Sequence, residues 1–588
     1  MNKQIRFADV ALSILFGLGV FLFFGYFYRY HLIYQEQFQL FLFTPGYLAE
    51  TTGKPGGLAE YIGRFITQFY VNPWLGGAII AVLLLIVQRQ VLFISLKFGN
   101  KPTYLPITFI PSLFYFLLLC NEHIMPAGMV ALVITLAAVQ FYLTIQHTGF
   151  RMLYVLCMIP MLYGLAGGIV MIFIVLCIAV EIRKNEISRT QQLTFAGVCV
   201  LCSIFSVLFA KAWLVQYPLF RLWTGIGYYR FQMIFPFTLA LLWIMVVLIP
   251  LVFWFLPEVK QLNKIFRLIG IQVVILIFVT SYGISMTADW KKEEIMQYDF
   301  FVRTQQWDKI IGMADRKPPM SPLSVSYLNL ALCKEGLMAE RMFHYFQNGP
   351  EGLLPTFVKD FTMPMMAGEV YYHLGFVNTA QRYAFEAMEA IPDYQKSSRA
   401  VKRLAETNLI NGEYAAAKKY LNLLQRTLYY KKWADMVMDY LGDEDKIASV
   451  PEWTELRKYR TKTNFLFSEQ EKDMMLGVLL QQDFTNRKAY EYLMAYCLLT
   501  KDLKHFASYY PLGKSIGYQH IPRSYQEALI YIWGLTNVDL STIPYPISEE
   551  VKLQVKHYGK IYTANQHAEP LLKKDFSNTY WYYLHFRK

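Results

Sequence analysis

The chain has 588 residues, of which 55% are hydrophobic and only 17% charged, with a mean hydropathy of +0.27. That composition excludes a disordered chain, a collagen and a small disulfide scaffold, and the length suffices for two or more domains. The formal charge of +13 would by itself suit a nucleic acid or an anionic lipid.

The average conceals a split near residue 287. Residues 1–286 hold eight acids (Asp9, Glu36, Glu50, Glu60, Glu122, Glu181, Glu186 and Glu258) and 18 Lys and Arg, a net +10. Residues 287–588 hold the other 38 basic and 35 acidic residues, a net +3. An all-α protein is predicted: a polytopic transmembrane helix bundle over 1–286, then a soluble α-helical repeat domain over 287–588.

A bilayer core about 30 Å thick needs roughly 20 mostly apolar helical residues. Runs near 9–28, 74–96, 104–120, 126–145, 194–213, 232–256 and 266–286 qualify. The apolar stretch 150–180 contains Pro160, Gly164, Gly167 and Gly168. It reads as two short helices meeting at a glycine turn, since Pro and Gly interrupt helices and such breaks persist in membranes only inside protein. The total is about nine spans. The first could be mistaken for a signal peptide, but Arg29-Tyr30-His31 follows it in place of a small-residue cleavage site, so it reads as a retained anchor.

With the N-terminus inside, 12 of the 18 basic residues fall on the inner side: Lys3, Arg6, Arg89, Lys97, Lys101, Arg151, Arg183, Lys184, Arg189, Lys260, Lys264 and Arg267. Arg29, Lys54, Arg64, Lys211, Arg221 and Arg230 fall outside. Nine spans and this bias place the C-terminal half outside. The expected location is a bacterial inner membrane, with a cytoplasmic N-terminus and a periplasmic C-terminal domain. Of the seven cysteines, five lie in or beside spans and behave as small apolar residues, while Cys333 and Cys497 read as buried thiols in helices.

From Trp290 onward the pattern is helix, short turn, helix. In Ser398–Gln425, Val401, Leu404, Ala405 and Leu409 form one stripe, Asn411-Gly412 the turn, and Tyr414, Ala417, Tyr420, Leu421 and Leu424 the answering stripe. Tyr372, Leu374, Gly375, Ala380, Tyr383, Ala384 and Ala387 repeat the scheme and close at Pro392. This half resembles tetratricopeptide repeats, which implies stacked helix pairs and a surface for a protein or peptide partner. The aromatic end, Thr579 to Phe586, is either a packed cap or a contact with the membrane interface or sugar.

Thr51-Thr52-Gly53-Lys54-Pro55 is rejected as a phosphate loop because Leu48 stands where glycine is required and Pro follows the Lys. The basic residues follow topology, so nucleic acid is not a partner. No metal-ligand spacing is present, and no metal site is assigned. The first loop, about 29–73, places Leu58, Ile62, Phe65, Ile66 and Phe69 at helical spacing with Glu60, Arg64, Thr67 and Gln68 on other faces. This predicts an amphipathic helix, in the interface or packed on the bundle. The polar residues at span ends are the candidate site: His31 and Glu36 after the first span, Glu122 and His123 after the third, and Arg221, Trp223 and Arg230 in the aromatic loop 211–230.

This layout resembles the lipid-linked-sugar glycosyltransferases of the GT-C class, which have an acid in a long first outer loop with an interfacial helix and a second acidic site after span three. Here Glu36 stands alone between Gln35 and Gln37, where that class shows an Asp or paired acids. The resemblance implies Glu36 as general base, Arg221 and Arg230 on a lipid phosphate, Glu122 and His123, joined by His31, orienting the acceptor or binding a divalent ion, and Trp223 among the substrate-binding residues. The donor would be a polyprenyl-phosphate-linked sugar. The whole chain also resembles an uncharacterised bacterial family of multi-pass proteins with a helical-repeat tail, which implies no activity. Two functions follow: a scaffold recruiting envelope proteins through the repeats, or, alternatively, a GT-C-like transferase acting on an envelope acceptor. Transport is disfavoured by the scarcity of ionisable residues in the spans.

Overall fold

The computed structural model describes every residue except 1–2, 185, 232–234, 260, 361, 461–466, 537–538, 540–541 and 588. Lys260 of the charge count and the first three residues of the 232–256 run therefore lie outside the described residues. The described chain is helical throughout, with one isolated antiparallel bridge between Ile124 and Tyr229. It divides into two compact units. The first comprises residues 1–293 together with two short segments from far along the chain, Pro392–Ser398 and Arg426–Lys431. The second comprises Glu294–Ile391, Arg399–Gln425 and Lys432–Lys588.

In the first unit six helices are long and apolar enough to cross a membrane: Gln4–Phe27, Pro73–Phe98, Thr148–Ala166, Arg189–Leu214, Phe237–Phe255 and Leu262–Thr287. Local chemistry sets their starts. Asn72 Oδ1 accepts from Trp74 N at 3.1 Å, with Pro73 at the first helical position. Ser188 and Gln191 form a reciprocal capping box ahead of Arg189. Shorter apolar helices occupy Pro102–Leu118 and Pro126–Tyr142, and Val170–Lys184 has 15 residues. The first eight residues of Pro102–Leu118 form a 3₁₀ helix, whose longer rise stretches that helix to about 30 Å.

The stretch 150–180 breaks at Gly167-Gly168, between helices Thr148–Ala166 and Val170–Lys184. A Cβ on Gly168 would lie 2.0 Å from the carbonyl oxygen of Trp223. The glycine is there because another strand of backbone needs the space.

Two ion-pair groups tie these helices together. Arg89 Nη1 meets Asp9 Oδ2 at 2.5 Å. Arg151, with no exposed surface, holds Glu181 at 2.7 Å and Glu186 at 2.6 Å. Arg151 opens one helix and Glu181 closes another, so the pair serves helix ends and leaves the middle of each apolar run uncharged. All seven cysteines are free; Cys333 and Cys497 are both buried.

The second unit repeats one backbone device. Gln306, Leu337, Phe376, Glu413 and Asp502 each donate their amide to the carbonyl five residues back, at 2.7–2.9 Å. The residue before each (Gln305, Gly336, Gly375, Gly412 and Lys501) has a left-handed φ. This is a Schellman turn, which stops one helix and lets the next begin within a residue or two. The turn expected at Asn411-Gly412 is one of the five. Val401, Leu404, Ala405 and Leu409 are buried on one side of it, and Ala417, Leu421 and Leu424 on the other. Inside this unit Arg399 binds Asp299 through two nitrogens at 2.8 Å and Glu369 at 2.9 Å, while Arg403 binds Glu369 at 2.6 Å. Such buried charges persist only when paired and hydrogen-bonded.

Candidate functional site

The first loop folds into helices Arg29–Gln37, Pro45–Thr52 and Gly57–Thr67. The last is amphipathic, with its two faces placed opposite to those of a soluble protein. Glu60, Arg64 and Thr67 are buried, whereas Phe65 is exposed and Leu58, Ile62 and Ile66 are half-buried. The polar face thus lines the protein interior and the apolar face looks out, the arrangement that suits a hydrocarbon medium. Gly63 permits it, since a Cβ there would meet Ala127 N at 2.6 Å.

Inside that polar face, Glu60 is held by Arg64 in a short ion pair and by Lys54 Nζ at 2.9 Å. Arg64 Nη1 also donates to Tyr47 Oη at 3.1 Å. Gly227 packs directly on the Glu60 carboxylate, where a Cβ would lie 2.9 Å from Oε2. A cavity of about 20 Å³, room for a single water, opens among Glu60, Arg64, Arg221, Arg230, Tyr229 and Asp393. Arg221 Nη2 binds Asp393 Oδ2 at 3.0 Å and Ile226 O at 3.1 Å, and its guanidinium lies over the Tyr217 ring. Arg230 lies over the Phe38 ring at 5.3 Å, and burial pushes its pKa down to about 10. The charged groups of the cluster are Lys54, Arg64, Arg221 and Arg230 against Glu60 and Asp393.

A second cavity, of about 10 Å³, lies among Glu36, Arg64, Gln68, Ser398 and Tyr430. Arg64 lines both. The buried Glu36 carboxylate accepts from Tyr430 Oη at 2.9 and 3.0 Å and from Ser398 Oγ at 3.3 Å.

The remaining candidates form a third group. Glu122 Oε1 meets Lys292 Nζ at 2.6 Å and His123 Nε2 at 3.4 Å. Burial alone would raise the Glu122 pKa, but His123 and Lys292 hold it below the usual value. His123 is pushed down to about 4 by burial, against the pull of Glu122. His31 is fully buried, its ring tilted against Tyr28 with centroids 4.8 Å apart, and burial likewise pushes it down to about 4. Its helix begins on Glu293, whose carboxylate accepts from Tyr30 N at 2.8 Å and His31 N at 2.9 Å. Burial outweighs those two donors and raises Glu293 to about 7.

Hydrogen bonds link the third group to the first and to the helix of Glu36. Arg230 N donates to His123 O at 3.0 Å, Met125 N donates to Tyr228 O at 3.0 Å, and Gln35 Nε2 lies 3.3 Å from Glu122 O. Arg221 and Arg230 thus share one cavity, Glu36 lines its neighbour, and His31, Glu122 and His123 stand to one side. Trp223 contributes its backbone carbonyl against Gly168 and packs on the core. Sequence reasoning did not assign Lys54, Glu60, Arg64, Tyr430 or Asp393 to the site. The i, i+4 spacing of Glu60 and Arg64 was a readable signal. Asp393 and Tyr430 gave none, lying 172 residues from Arg221 and 394 from Glu36. Among the described residues no group of three or more His, Cys, Asp or Glu could hold a metal ion.

Fold and site define a helical protein with, among the described residues, six helices long and apolar enough to cross a membrane, and a buried, arginine-rich polar cluster. The chain belongs to the DUF6057 family, a family of unknown function, over residues 3–587. No curated protein and no solved structure matches it.

Proposed function

We propose that the membrane unit binds an anionic, lipid-linked substrate and transfers its sugar to an acceptor hydroxyl, in the manner of GT-C glycosyltransferases. The observation that carries this reading is the convergence of Arg64, Arg221 and Arg230 on one cavity whose positive charge is only partly offset by the chain's own Glu60 and Asp393. Guanidinium forks suit phosphate oxygens. At about 20 Å³ the cavity admits a phosphate only when Asp393 withdraws from Arg221. The outward apolar face of Gly57–Thr67 would meet the lipid tail side, and its inward polar face the headgroup.

In the transfer, Glu36 takes the proton of the acceptor hydroxyl, and that oxygen bonds to the anomeric carbon. The bond from that carbon to the donor phosphate breaks, and the arginines stabilise the departing polyprenyl phosphate. Tyr430 and Ser398 position Glu36. With nine crossings and a cytoplasmic N-terminus, this chemistry lies on the periplasmic side of a bacterial inner membrane.

The test uses the full chain in nanodiscs containing polyprenyl phosphate. Arg221→Ala and Arg230→Ala should each weaken its retention about tenfold, the loss of one charge-assisted contact. Glu36→Gln should retain it and abolish a glycan phenotype in cells at unchanged membrane levels. Wild-type behaviour of all three sinks the reading.

A second reading, a scaffold that recruits envelope proteins, is favoured by the five Schellman-joined helix pairs of the second unit. That regularity supports the tetratricopeptide-like reading and a protein or peptide partner. Crosslinking of the full chain in cells should capture a partner through residues 294–391; its absence, with intact glycan transfer, leaves the enzyme.

A further inference from the structure

A larger space lies elsewhere in the first unit. A groove of about 410 Å³ runs between helices Gln4–Phe27, Pro102–Leu118 and Leu262–Thr287, with Phe16, Phe23, Phe116 and Leu276 among its walls. Its lining is almost wholly apolar. Thr280 spends its hydroxyl on Leu276 O, at 2.6 Å, leaving Ser281 as the other side-chain hydroxyl on the wall. Gly19 opens the groove: a Cβ there would find no atom within 4 Å.

We propose that this groove holds one acyl chain of a membrane phospholipid. Three observations on the molecule select that occupant. First, the groove is continuous with a face of Leu262–Thr287 that is largely exposed, with Val274, Ile277 and Phe278 outward. Such a surface is matched by lipid hydrocarbon and not by water. Second, a dry apolar cavity of 150 Å³ takes up benzene, about 25 Å³ per carbon, so 410 Å³ holds roughly 16 carbons, one chain. Third, its Phe23 end carries an interfacial marker. Phe23 touches Trp290 and Tyr28, and Trp290 is half-exposed beside Lys291 and Lys292. Tryptophan and lysine at that level suit a headgroup boundary. The inference does not rest on the arginine cavity.

The experiment places the full chain in nanodiscs of phosphatidylethanolamine and phosphatidylglycerol, a fraction carrying a diazirine in the acyl chain. After illumination, adducts should concentrate on peptides containing 12–23 and 273–284. Gly19→Phe and, independently, Ser281→Leu should cut those adducts several-fold while adducts on 198–209 persist; Gly19→Ala should leave both unchanged. Adducts spread evenly over all exposed helices, annular lipid only, would overturn the proposal. So would labelling that neither filling variant changes, crosslinks between two copies through this face, or full displacement by an equimolar polyprenyl alcohol.

Discussion

Arg221 and Asp393 face each other across 172 residues of chain, guanidinium nitrogen to carboxylate oxygen at 3.0 Å, both largely buried. Asp393 makes this contact from a left-handed backbone, φ 61°, which Asp and Asn tolerate better than most residues. Removing either partner leaves a charge without its counterpart in a low-dielectric site. Arg221→Ala and Asp393→Asn should each cost about 3 kcal/mol, and the double variant should cost clearly less than their sum. Thermal unfolding of the four proteins in detergent measures the coupling. The pair should also separate in binding: Asp393→Asn tightens retention of polyprenyl phosphate, by removing the internal competitor, and Arg221→Ala weakens it.

The glycine break offers a sharp contrast. Gly168→Ala should destabilise by about 3 kcal/mol or more, because the Cβ would sit 2.0 Å from Trp223 O and backbone cannot yield cheaply. Gly164→Ala, with nothing within 4 Å, should stay within about 1 kcal/mol of wild type or gain stability. Equal effects of the two would show that the short helix Leu219–Thr224, which carries Trp223, does not rest on Gly168.

Two buried groups give opposite pH slopes. The His31 pKa is lowered from 6.5 to about 4, so its contribution is present above 6.5 and is lost as pH falls through 4. The Glu293 pKa is raised from 4.5 to about 7, so its contribution is present below 4.5 and is lost as pH rises through 7. Each corresponds to about 3 kcal/mol. His31→Phe should weaken the rise from pH 4 to 6.5, which His123 shares, and Glu293→Gln should weaken the decline toward pH 7, which Glu527 shares. Unfolding midpoints across this range decide the matter. Two variants tracking the wild-type curve would contradict it.

The repeated turn of the second unit can be improved where its left-handed residue is not glycine. Gln305 has φ 53° and an exposed side chain. Gln305→Gly should stabilise by about 1 kcal/mol. Gly375→Ala should do the reverse, since φ is 106° and a Cβ would meet the Tyr459 ring at 3.0 Å. Denaturation midpoints of both variants provide the check.

Much of the helical architecture was legible because it depends on local chemistry. Apolar runs and the Asn411-Gly412 turn are each set by a few adjacent residues, and the Gly167-Gly168 break shows in the glycines themselves, although Trp223 is what makes Gly168 necessary. The helix Gly57–Thr67 shows where that legibility stops. Its stripes were readable, but spacing does not say which stripe turns inward, and here the polar one does. Arg221 and Arg230 were found as charges at the ends of apolar runs. Their neighbours Glu60 and Arg64 passed for the wet side of an amphipathic helix. Tyr430 and Asp393 reach the site through tertiary packing alone, which no local pattern encodes.

The two borrowed segments, 392–398 and 426–431, carry a consequence for biosynthesis. The first unit has its final residue at Lys431, long after its last apolar helix has emerged from the ribosome. Until then Arg221 lacks Asp393, and Glu36 lacks Ser398 and Tyr430. A nascent or prematurely stopped chain could therefore be fully inserted and still hold an unpaired arginine and an unfilled carboxylate at its centre. Completion of the polar cluster is a late event, timed by the half of the chain that contributes least to the bundle.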